Sequence, residues 1–411
     1  MLQDGRLTFE RVGETFAKII VVGIGGGGGN AVNRMIESEL SGVEYVVVNT
    51  DKQDLAGSNA DTKIQIGDKL TGGLGTGGNP EKGQASAEEN IQDIENAVKD
   101  ADMVFITAGM GGGTGTGAAP IVAKVSRDLG ILTVGVVTKP FSFEGKKRRD
   151  NAELGINYLQ KYVDSLVIVP NDKLLLISDK STTVEDALMM ANEVLKQAVQ
   201  GITDIISTSG LINRDFADVR SVMSNRGVAH IGIGRAEGEN KVSEAVQGAI
   251  ESPLLETSIT GAKAVILYIS GGYDLGMLEV NEAADQIEQA VDREAIVIFG
   301  TSVYESLADE MVVTVIATGF EERPGEQLEP LIGNHPGAAN AGARDGGNDE
   351  NRGEGAEEER NAPNLMFTDF DEDGDRFGFD AEREPRQESL LSEDIADDDN
   401  DFTVPDFLKK D

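Results

Sequence analysis

The sequence predicts an α/β fold whose core is a mostly parallel sheet with helices on both faces. Residues 18–170 alternate short apolar segments with helical patterns, which is typical of strands connected by crossover helices. Glycine-rich segments directly follow two of the apolar runs. In such sheets the loops at the carboxyl ends of the strands meet at one edge, so we expect a ligand site there.

The elements follow one another along the chain in two groups. Six strands are predicted first, over residues 19–22, 45–48, 63–66, 103–108, 132–137 and 165–169. A long helix is predicted over residues 183–206, because Leu188, Ala191 and Leu195 belong to an apolar series with spacings of three and four. A second, smaller α/β domain follows, with strands over residues 229–234, 262–270, 295–301 and 311–318 and helices over 243–251 and 277–291.

Beyond Phe320 the apolar pattern ends. Residues 321–411 contain 28 acidic and nine basic residues, a net charge of −19 out of −37 for the whole chain. Such a segment buries too little apolar surface to offset its ordering entropy, so disorder is predicted over 321–400. We expect six parts along the chain: an extension over 1–17, a domain over 18–182, a central helix over 183–206, a second domain over 207–320, an acidic linker over 321–400 and a terminal peptide over 401–411.

Composition excludes several classes of function. The chain has no cysteine and two histidines, which excludes disulfides and argues against zinc or histidine chemistry. Both parts of the chain are acidic, so nucleic-acid binding is not expected; the main basic run is 146–149. No apolar run reaches bilayer length and the N-terminus lacks signal-peptide features, so we expect a cytoplasmic protein without membrane insertion. The acidic body fits a salt-rich cytoplasm, although composition alone does not establish that habitat.

Two glycine-rich loops predict a phosphate site. Residues 109–117 read GMGGGTGTG and connect a predicted strand to a helical stretch that starts at Ala118, while residues 23–29 lie between another strand and a helix that opens at Ala31. Backbone N–H groups in such loops, together with the positive end of the next helix, surround phosphate oxygens, and glycine permits the close approach. A third glycine-rich stretch covers residues 71–78.

An NAD-dependent oxidoreductase is the competing interpretation of these loops. Gly23, Gly25 and Gly28 satisfy the dinucleotide fingerprint, and Asp51 lies near the position of a ribose-binding acid. A single pyrophosphate needs one such loop, however, and several loops suit a nucleoside triphosphate better. No GxxxxGK[ST] motif occurs, so amides, helix dipoles and a magnesium ion are expected to neutralise the phosphates in place of a P-loop lysine.

The motifs taken together resemble the FtsZ branch of the tubulin and FtsZ family, GTPases that assemble head to tail into filaments. The resemblance rests on both glycine loops and on residues 139–148, 170–173 and 213–220, and it covers roughly residues 18–320 plus the terminal peptide. It implies a tubulin/FtsZ-like fold with a Rossmann-like GTP-binding domain, a long central helix and a smaller C-terminal α/β domain. It also implies a GTP/GDP site completed by a neighbouring subunit.

The resemblance implies a role for each candidate binding residue. Glu144 and Arg148 would contact ribose and phosphate, although on the sequence alone an ordinary i,i+4 surface pair is the better explanation. The family usually has Asp where Glu193 stands, and we assign Glu193 no role. Asn171 and Asn192 would contact guanine, although Asn192 is equally a residue on the polar face of a predicted helix. The resemblance also places on the nucleotide Gly26, Gly27, Gly28, Gly29, Asn30, Gly113, Thr114 and Gly115.

A carboxylate loop carries the expected chemistry. Asp215 and Asp218 are three residues apart at the start of a predicted helix, so their carboxylates share one face. They could orient a water for attack on the γ-phosphorus, or simply cap the helix. The resemblance favours catalysis, with Asn213 in the same loop, and Arg214 replaces the apolar residue common in the family.

The leading hypothesis is therefore a filament-forming GTPase of cell division that concentrates in a ring at the division site. Its expected partners are further copies of itself and a membrane-tethering adaptor bound by residues 402–410, where Phe402, Val404, Phe407 and Leu408 occur together with two lysines. The alternatives are the NAD enzyme and a tubulin-like protein that binds nucleotide without dividing cells.

Overall fold

The computed structural model describes residues 17–320, except residues 41, 177, 179–180, 208–215 and 256–258. All of them belong to one unit of the chain, Met1–Leu365; the second unit, Met366–Asp411, lies outside the described residues. The expected linker over 321–400 and the terminal peptide over 401–411 also lie outside them, as does nearly all of the expected extension over 1–17.

The described residues contain ten strands, one for each predicted strand. Most are one or more residues longer than predicted, because pairing with neighbouring strands continues past the predicted apolar runs. The strands are β1 (Ile19–Ile24), β2 (Val43–Asn49), β3 (Thr62–Gln65), β4 (Met103–Gly109), β5 (Leu132–Lys139), β6 (Ser165–Pro170), β7 (Gly227–Glu237), β8 (Ala264–Gly271), β9 (Ile296–Val303) and β10 (Glu310–Thr318).

Twelve α-helices connect these strands within the described ranges. The predicted central helix is α9, which ends one residue later than expected. The helices are α1 (Gly25–Glu37), α2 (Lys52–Gly57), α3 (Asp68–Thr71), α4 (Pro80–Glu89), α5 (Ile91–Val98), α6 (Thr114–Asp128), α7 (Lys146–Gln160), α8 (Asn171–Leu174), α9 (Val184–Ser207), α10 (Phe216–Met223), α11 (Lys241–Ile250) and α12 (Met277–Ala290).

The strands form one sheet in the order β3-β2-β1-β4-β5-β6-β7-β10-β8-β9. All pairs from β3 to β7 are parallel, β10 is antiparallel to both β7 and β8, and β9 is parallel to β8. The first three residues of β7 pair with β6, from Gly227 opposite Ser165 to Ala229 opposite Val167. This short pairing joins the strands of the two predicted domains into a continuous sheet.

Apolar residues fill both faces of the sheet. One core includes residues of α1, α9 and α10 packed on the strands, and a second lies on the opposite face beneath α5, α6 and α7. A third core packs α11 and α12 against β8 and β10. Helix α9 is central to the first core, to which Ala191, Leu195, Ala198 and Ile202 contribute fully or almost fully buried side chains. The burial explains the apolar series that predicted this helix.

The two glycine loops are shorter than the sequence suggests, which corrects the predicted helix starts. Helix α1 begins at Gly25 rather than at Ala31, and α6 begins at Thr114 rather than at Ala118. Glycine is a poor helix former, so local propensity favours a loop at both places. Tertiary packing overrides that propensity. Helix α1 packs so closely on β4 that a Cβ atom at Gly28 would overlap the Thr107 carbonyl oxygen, so this contact requires glycine.

Candidate functional site

A cleft of about 610 Å³ lies at the carboxyl edge of the parallel strands. That volume is in the range of ligand pockets. Most of the residues predicted to bind a ligand meet there, although they come from five separate segments of the chain. The cleft is lined by Gly26, Gly27, Asn30, Gly113, Thr114, Gly115, Glu144, Arg148, Asn171 and Asn192 among the predicted residues.

Two helices, α1 and α6, begin at this cleft without a side-chain cap at the N-terminus. The residues before α1 and α6 make no side-chain capping hydrogen bond, and neither helix has an acidic residue in its first turn. The neighbouring helices α2 and α4 are capped by Asp51 and Asn79. Uncapped N-termini carry partial positive charge and free donors, so the two together form a site for a multiply charged anion.

The three glycine-rich segments contact one another at the cleft. A Cβ atom at Gly25 would lie 2.9 Å from the Gly115 nitrogen, and one at Gly113 would overlap the hydroxyl of Thr76. Gly25 also has a φ of +69°, which L side chains rarely adopt. Larger residues at Gly25 and Gly113 would therefore push the three segments apart. The expectation that several loops converge on one ligand agrees with this geometry.

Gly28 and Gly29 do not line the cleft, unlike their predicted neighbours. Gly28 is buried where α1 crosses β4, next to the Thr107 carbonyl. A Cβ atom at Gly29 would lie 3.6 Å from Val47 of β2. Both residues face the sheet because a helix that starts at Gly25 turns them away from the edge. Both therefore contact the sheet, and their contact with the ligand stays a prediction.

Hydroxyl groups fix the second glycine segment. The Oγ1 atoms of Thr50, which follows β2, and Thr114 are 2.8 Å apart and buried. The Gly111 N–H, where φ is +104°, donates to Thr116 Oγ1 at 2.8 Å. These bonds hold the first turn of α6 in one conformation, so its N–H groups are preorganised for an anion.

Glu144 and Arg148 line the cleft and also form the ion pair that their i,i+4 spacing allows. Glu144 Oε1 accepts a hydrogen bond from the Phe141 N–H at 3.0 Å, which fixes the carboxylate at the start of α7. The Glu144 side chain is 18% exposed and that of Arg148 is 58% exposed. Both interpretations of the pair are therefore compatible with its position.

Two asparagines from α8 and α9 also line the cleft. Asn171 is the first residue of α8 and is buried, and its Oδ1 makes no hydrogen bond among the described residues. Asn192 lines the cleft from α9, on the same helix face as Leu188 and Leu195. An unsatisfied buried acceptor is costly, so the amide oxygen of Asn171 is suited to a ligand donor.

The predicted carboxylate loop does not reach this cleft in the described part of the chain. Asn213 and Asp215 lie outside the described residues. Asp218 lies in the first turn of α10 and does not line the cleft. The Ser165 hydroxyl, at the start of β6, donates to the carbonyl of Met223, the last residue of α10, at 2.6 Å. Helix α10 therefore lies at the amino edge of the sheet, opposite the cleft.

Sequence reasoning missed several lining residues. Half of them lie within three residues after a predicted strand, and this position was the signal that could have found them. The apolar residues of α9 share a helix face with Asn192, which was a second signal. The missed residues include Asn49, Thr50, Asp54, Thr138, Pro140, Leu188, Ala191 and Leu195.

The described residues contain neither a candidate metal cluster nor a candidate membrane span. There, no three His, Cys, Asp or Glu side chains are grouped in a way that could hold a metal ion. None of the helices in the same ranges combines the length and apolar character of a transmembrane segment.

Comparison with known proteins identifies the family. The family model described as "Tubulin/FtsZ family, GTPase domain" matches residues 18–179, and the one described as "FtsZ family, C-terminal domain" matches residues 227–321. An FtsZ dimer from M. jannaschii is 45% identical, with a TM-score of 0.73 over 75% of this chain and 89% of that chain. The chain belongs to the FtsZ family. It is accordingly a GTPase that binds GTP and GDP, and this decides against an NAD-dependent oxidoreductase.

More distant FtsZ-like structures show the same fold. GDP-bound CetZ1 from Haloferax volcanii is 24% identical, with a TM-score of 0.63 over 74% of this chain and 94% of that chain. CetZ2 from the same organism, as a GTPγS-bound protofilament, is 22% identical, with a TM-score of 0.62 over 73% and 92%. The predicted α/β fold with its tubulin/FtsZ-like arrangement is therefore confirmed.

Proposed function

We propose that this chain is a filament-forming GTPase of cell division whose GTP lies at the interface between stacked subunits. In this proposal a carboxylate loop of the next subunit hydrolyses the nucleotide. The supporting observation is the separation of the predicted binding residues from the predicted catalytic residue Asp218. The cleft lies at the carboxyl edge of the sheet, and α10 with Asp218 lies at the amino edge. The eight residues of β5 between these edges span about 25 Å.

That separation is too large for Asp218 to reach a phosphate in its own cleft. Head-to-tail stacking of identical subunits brings the amino edge of one copy against the carboxyl edge of the next, which is a heterologous interface that extends into a filament. Solved FtsZ-like structures include the M. jannaschii dimer and the CetZ2 protofilament, which supports such stacking. Asp215 and Asp218, with Asn213, would then orient the attacking water.

The cleft suggests how the nucleotide lies. The phosphates fit the uncapped N-termini of α1 and α6, where amides would stabilise charge that develops on the γ-phosphate. Glu144 is a suitable acceptor for ribose hydroxyls, and Arg148 a suitable partner for phosphate. At the far end, the amides of Asn171 and Asn192 supply the acceptors and donors that the guanine edge requires.

A magnesium ion fits this cleft if the phosphates supply most of its ligands. Mg²⁺ is commonly held by one or two carboxylates together with substrate phosphates and water. Asp51 and Asp54 line the cleft and are the carboxylates available there besides the paired Glu144. The ion would neutralise phosphate charge, the role that a lysine has in P-loop enzymes.

Activity as a function of protein concentration tests this proposal. GTP turnover per subunit is expected to be nearly absent at low concentration and to rise above a threshold, because the site needs a neighbour. Light scattering measured in parallel should rise at the same concentration. Constant specific activity down to high dilution would contradict a site completed by a second subunit.

Attachment of the filament is the second part of the proposal. Residues 402–410 lie outside the described residues, and their sequence suits a short peptide that docks in a groove of a membrane-tethering adaptor. Through that adaptor the cytoplasmic filament would collect in a ring at the division site. Deletion of residues 402–411 should leave GTPase activity near normal but abolish ring localisation. Normal rings in cells that contain only the truncated protein would exclude this role.

A further inference from the structure

Glu193 follows Asn192 on α9, but its side chain faces away from the cleft. Unlike its neighbours Ala191, Asn192 and Leu195, Glu193 does not line the cleft. Its Oε1 lies 2.6 Å from Lys196 Nζ and accepts a hydrogen bond from Gln197 Nε2 at 3.1 Å. Its Oε2 is buried, makes no hydrogen bond within the described ranges and faces Arg34 Nε at 3.5 Å.

These contacts connect α9 to the helix that starts at the phosphate loops. Arg34 lies in the last turn of α1, and Ser38 caps the end of that helix. Lys196 also donates to Ser38 Oγ at 3.4 Å, so both members of the Glu193–Lys196 pair contact the C-terminal end of α1. Beneath this polar contact, Ala31, Val32 and Met35 of α1 belong to the same core as Ala191 and Leu195 of α9.

The position of α9 against α1 sets the length of the nucleotide site. Gly26 and Gly27 at the N-terminus of α1 line the cleft, and so does Asn192 of α9. In the proposed function the former bind phosphate and the latter binds guanine, which are the two ends of the nucleotide. A small slide of one helix along the other would change the distance between these ends, and the apolar contact alone is non-directional. A charged contact with defined partners fixes one arrangement.

We propose that Glu193 is a positioning residue of the nucleotide site, which fixes α9 against α1 through Lys196 and Arg34 and makes no contact with the base. The inference rests on the proposed binding of guanine by Asn171 and Asn192. The Lys196 side chain is only 13% exposed, so removal of the carboxylate leaves a largely buried ammonium without its strongest partner. Exposed ion pairs, by comparison, contribute little.

The variant Glu193→Gln distinguishes positioning from base recognition. Guanine presents two adjacent N–H donors, which a carboxylate accepts, whereas xanthine replaces the amine with a carbonyl and so prefers an amide. A carboxylate that contacts the base would therefore give a shift in selectivity towards xanthine when it is changed to an amide. If the carboxylate only positions α9, the change to an amide should weaken the affinity for both nucleotides by the same factor.

Calorimetric titration of the full chain with GDP and with XDP measures both effects. Glu193→Gln should weaken both affinities equally, by about three- to tenfold. Arg34→Gln should weaken both affinities to a similar extent. The fold-loss of affinity in the double variant should be smaller than the product of the two single fold-losses, as expected for groups in contact. Glu37→Gln is the matched control, because Glu37 faces Arg34 at 3.5 Å from α1 itself and is 56% exposed; its affinities should stay within about twofold.

Two results would overturn the proposal. One is an increase of about tenfold or more in the preference of Glu193→Gln for XDP over GDP, which would mean that Glu193 contacts the base. The other is an unchanged affinity for both nucleotides in a variant whose thermal unfolding without nucleotide matches the parent. The proposed binding of guanine by Asn171 and Asn192 has a separate test, which is the ratio of GDP to XDP affinity in the parent.

Discussion

The two edges of the parallel strands differ in the kind of group that they present. The carboxyl edge presents main-chain amides at the N-termini of α1 and α6, supported by glycines in close contact. The amino edge presents side chains of α10, with Asp218 in its first turn. Amides suit the binding of phosphates, and carboxylates suit the orientation of a water. In the proposed function, binding and chemistry therefore lie at opposite edges, which a single subunit cannot bring together.

The largest effect expected from this comparison comes from the amino edge. Asp218→Ala should reduce GTP turnover by about 10²-fold or more and leave GDP affinity nearly unchanged, because Asp218 does not line the cleft. Steady-state turnover above the assembly threshold and calorimetric GDP titration measure the two quantities.

Ser221→Ala is the control for this variant. Ser221 lies on the same helix, and its hydroxyl donates to the Asp218 carbonyl at 2.7 Å, so the change perturbs α10 without removing charge. Its turnover should stay within about threefold of the parent. If Asp218→Ala hydrolysed GTP at the parent rate, Asp218 would have only a structural role in α10. The amino edge could then not be assigned the chemistry on the basis of Asp218.

At the carboxyl edge, a pair of glycine variants separates packing from binding. Gly28→Ala should lower the free energy of unfolding by roughly 1–3 kcal/mol, because the new methyl overlaps the Thr107 carbonyl. Gly26 is exposed in the cleft, and a Cβ atom there would meet only Asp54 Oδ2, at 3.2 Å. Gly26→Ala should therefore leave stability within about 0.5 kcal/mol of the parent and weaken GDP binding.

Denaturant unfolding without nucleotide and GDP titration of both variants measure these effects. The result decides whether Gly28 serves the packing of α1 on the sheet or the binding of the nucleotide. Equal stability of the two variants, together with weaker GDP binding by Gly28→Ala, would restore Gly28 as a binding residue.

A smaller effect is expected where α9, which connects the two edges, packs on β8 and β9. Asp204 of α9 is buried, and its Oδ2 accepts hydrogen bonds from the hydroxyls of Tyr268 and Tyr304, both at 2.5 Å. Burial and the Asp204 carboxylate raise the pKa of Tyr304 to about 12. Tyr304→Phe should lower the free energy of unfolding by about 0.5–1.5 kcal/mol at neutral pH.

The pH dependence of stability has a definite sign here. An unfolded tyrosine ionises near pH 10, so the contribution of Tyr304 is complete below about pH 10 and is lost as the pH rises towards 12. Unfolding free energies between pH 8 and 11 should therefore fall less steeply in Tyr304→Phe than in the parent. Tyr273→Phe, at a tyrosine that is 82% exposed, is the control and should match the parent. If the unfolding free energy of Tyr304→Phe fell with pH as steeply as that of the parent, Tyr304 would not contribute to the pH dependence of stability.

The sequence predicted the sheet and the phosphate end of the cleft better than the rest. All ten strands were predicted because their buried apolar runs are bounded by polar or glycine residues. The glycine segments were recognised because close approach of main chains leaves few alternatives to glycine. The starts of α1 and α6 were predicted too late, since glycine hides a helix that is formed by tertiary packing.

Contacts between distant segments could not be predicted. The role of Glu193 depends on Arg34 of another helix, and no local pattern connects the two residues. The same holds for the pairing of the first three residues of β7 with β6, which joins the strands of both predicted domains in one sheet. The position of α10 at the amino edge follows from that topology.

A mixing experiment tests the central claim that the two edges of different subunits form one active site. One variant, Asp218→Ala, keeps the cleft, and the other, Asn171→Ala with Asn192→Ala, keeps the carboxylates. In an equal mixture of copolymerising subunits, about a quarter of the interfaces combine an intact cleft with an intact Asp218. GTP turnover should therefore recover to about a quarter of the parent value, far above that of either variant alone. Turnover no greater than the average of the two separate variants, in mixed filaments shown to contain both, would contradict the account.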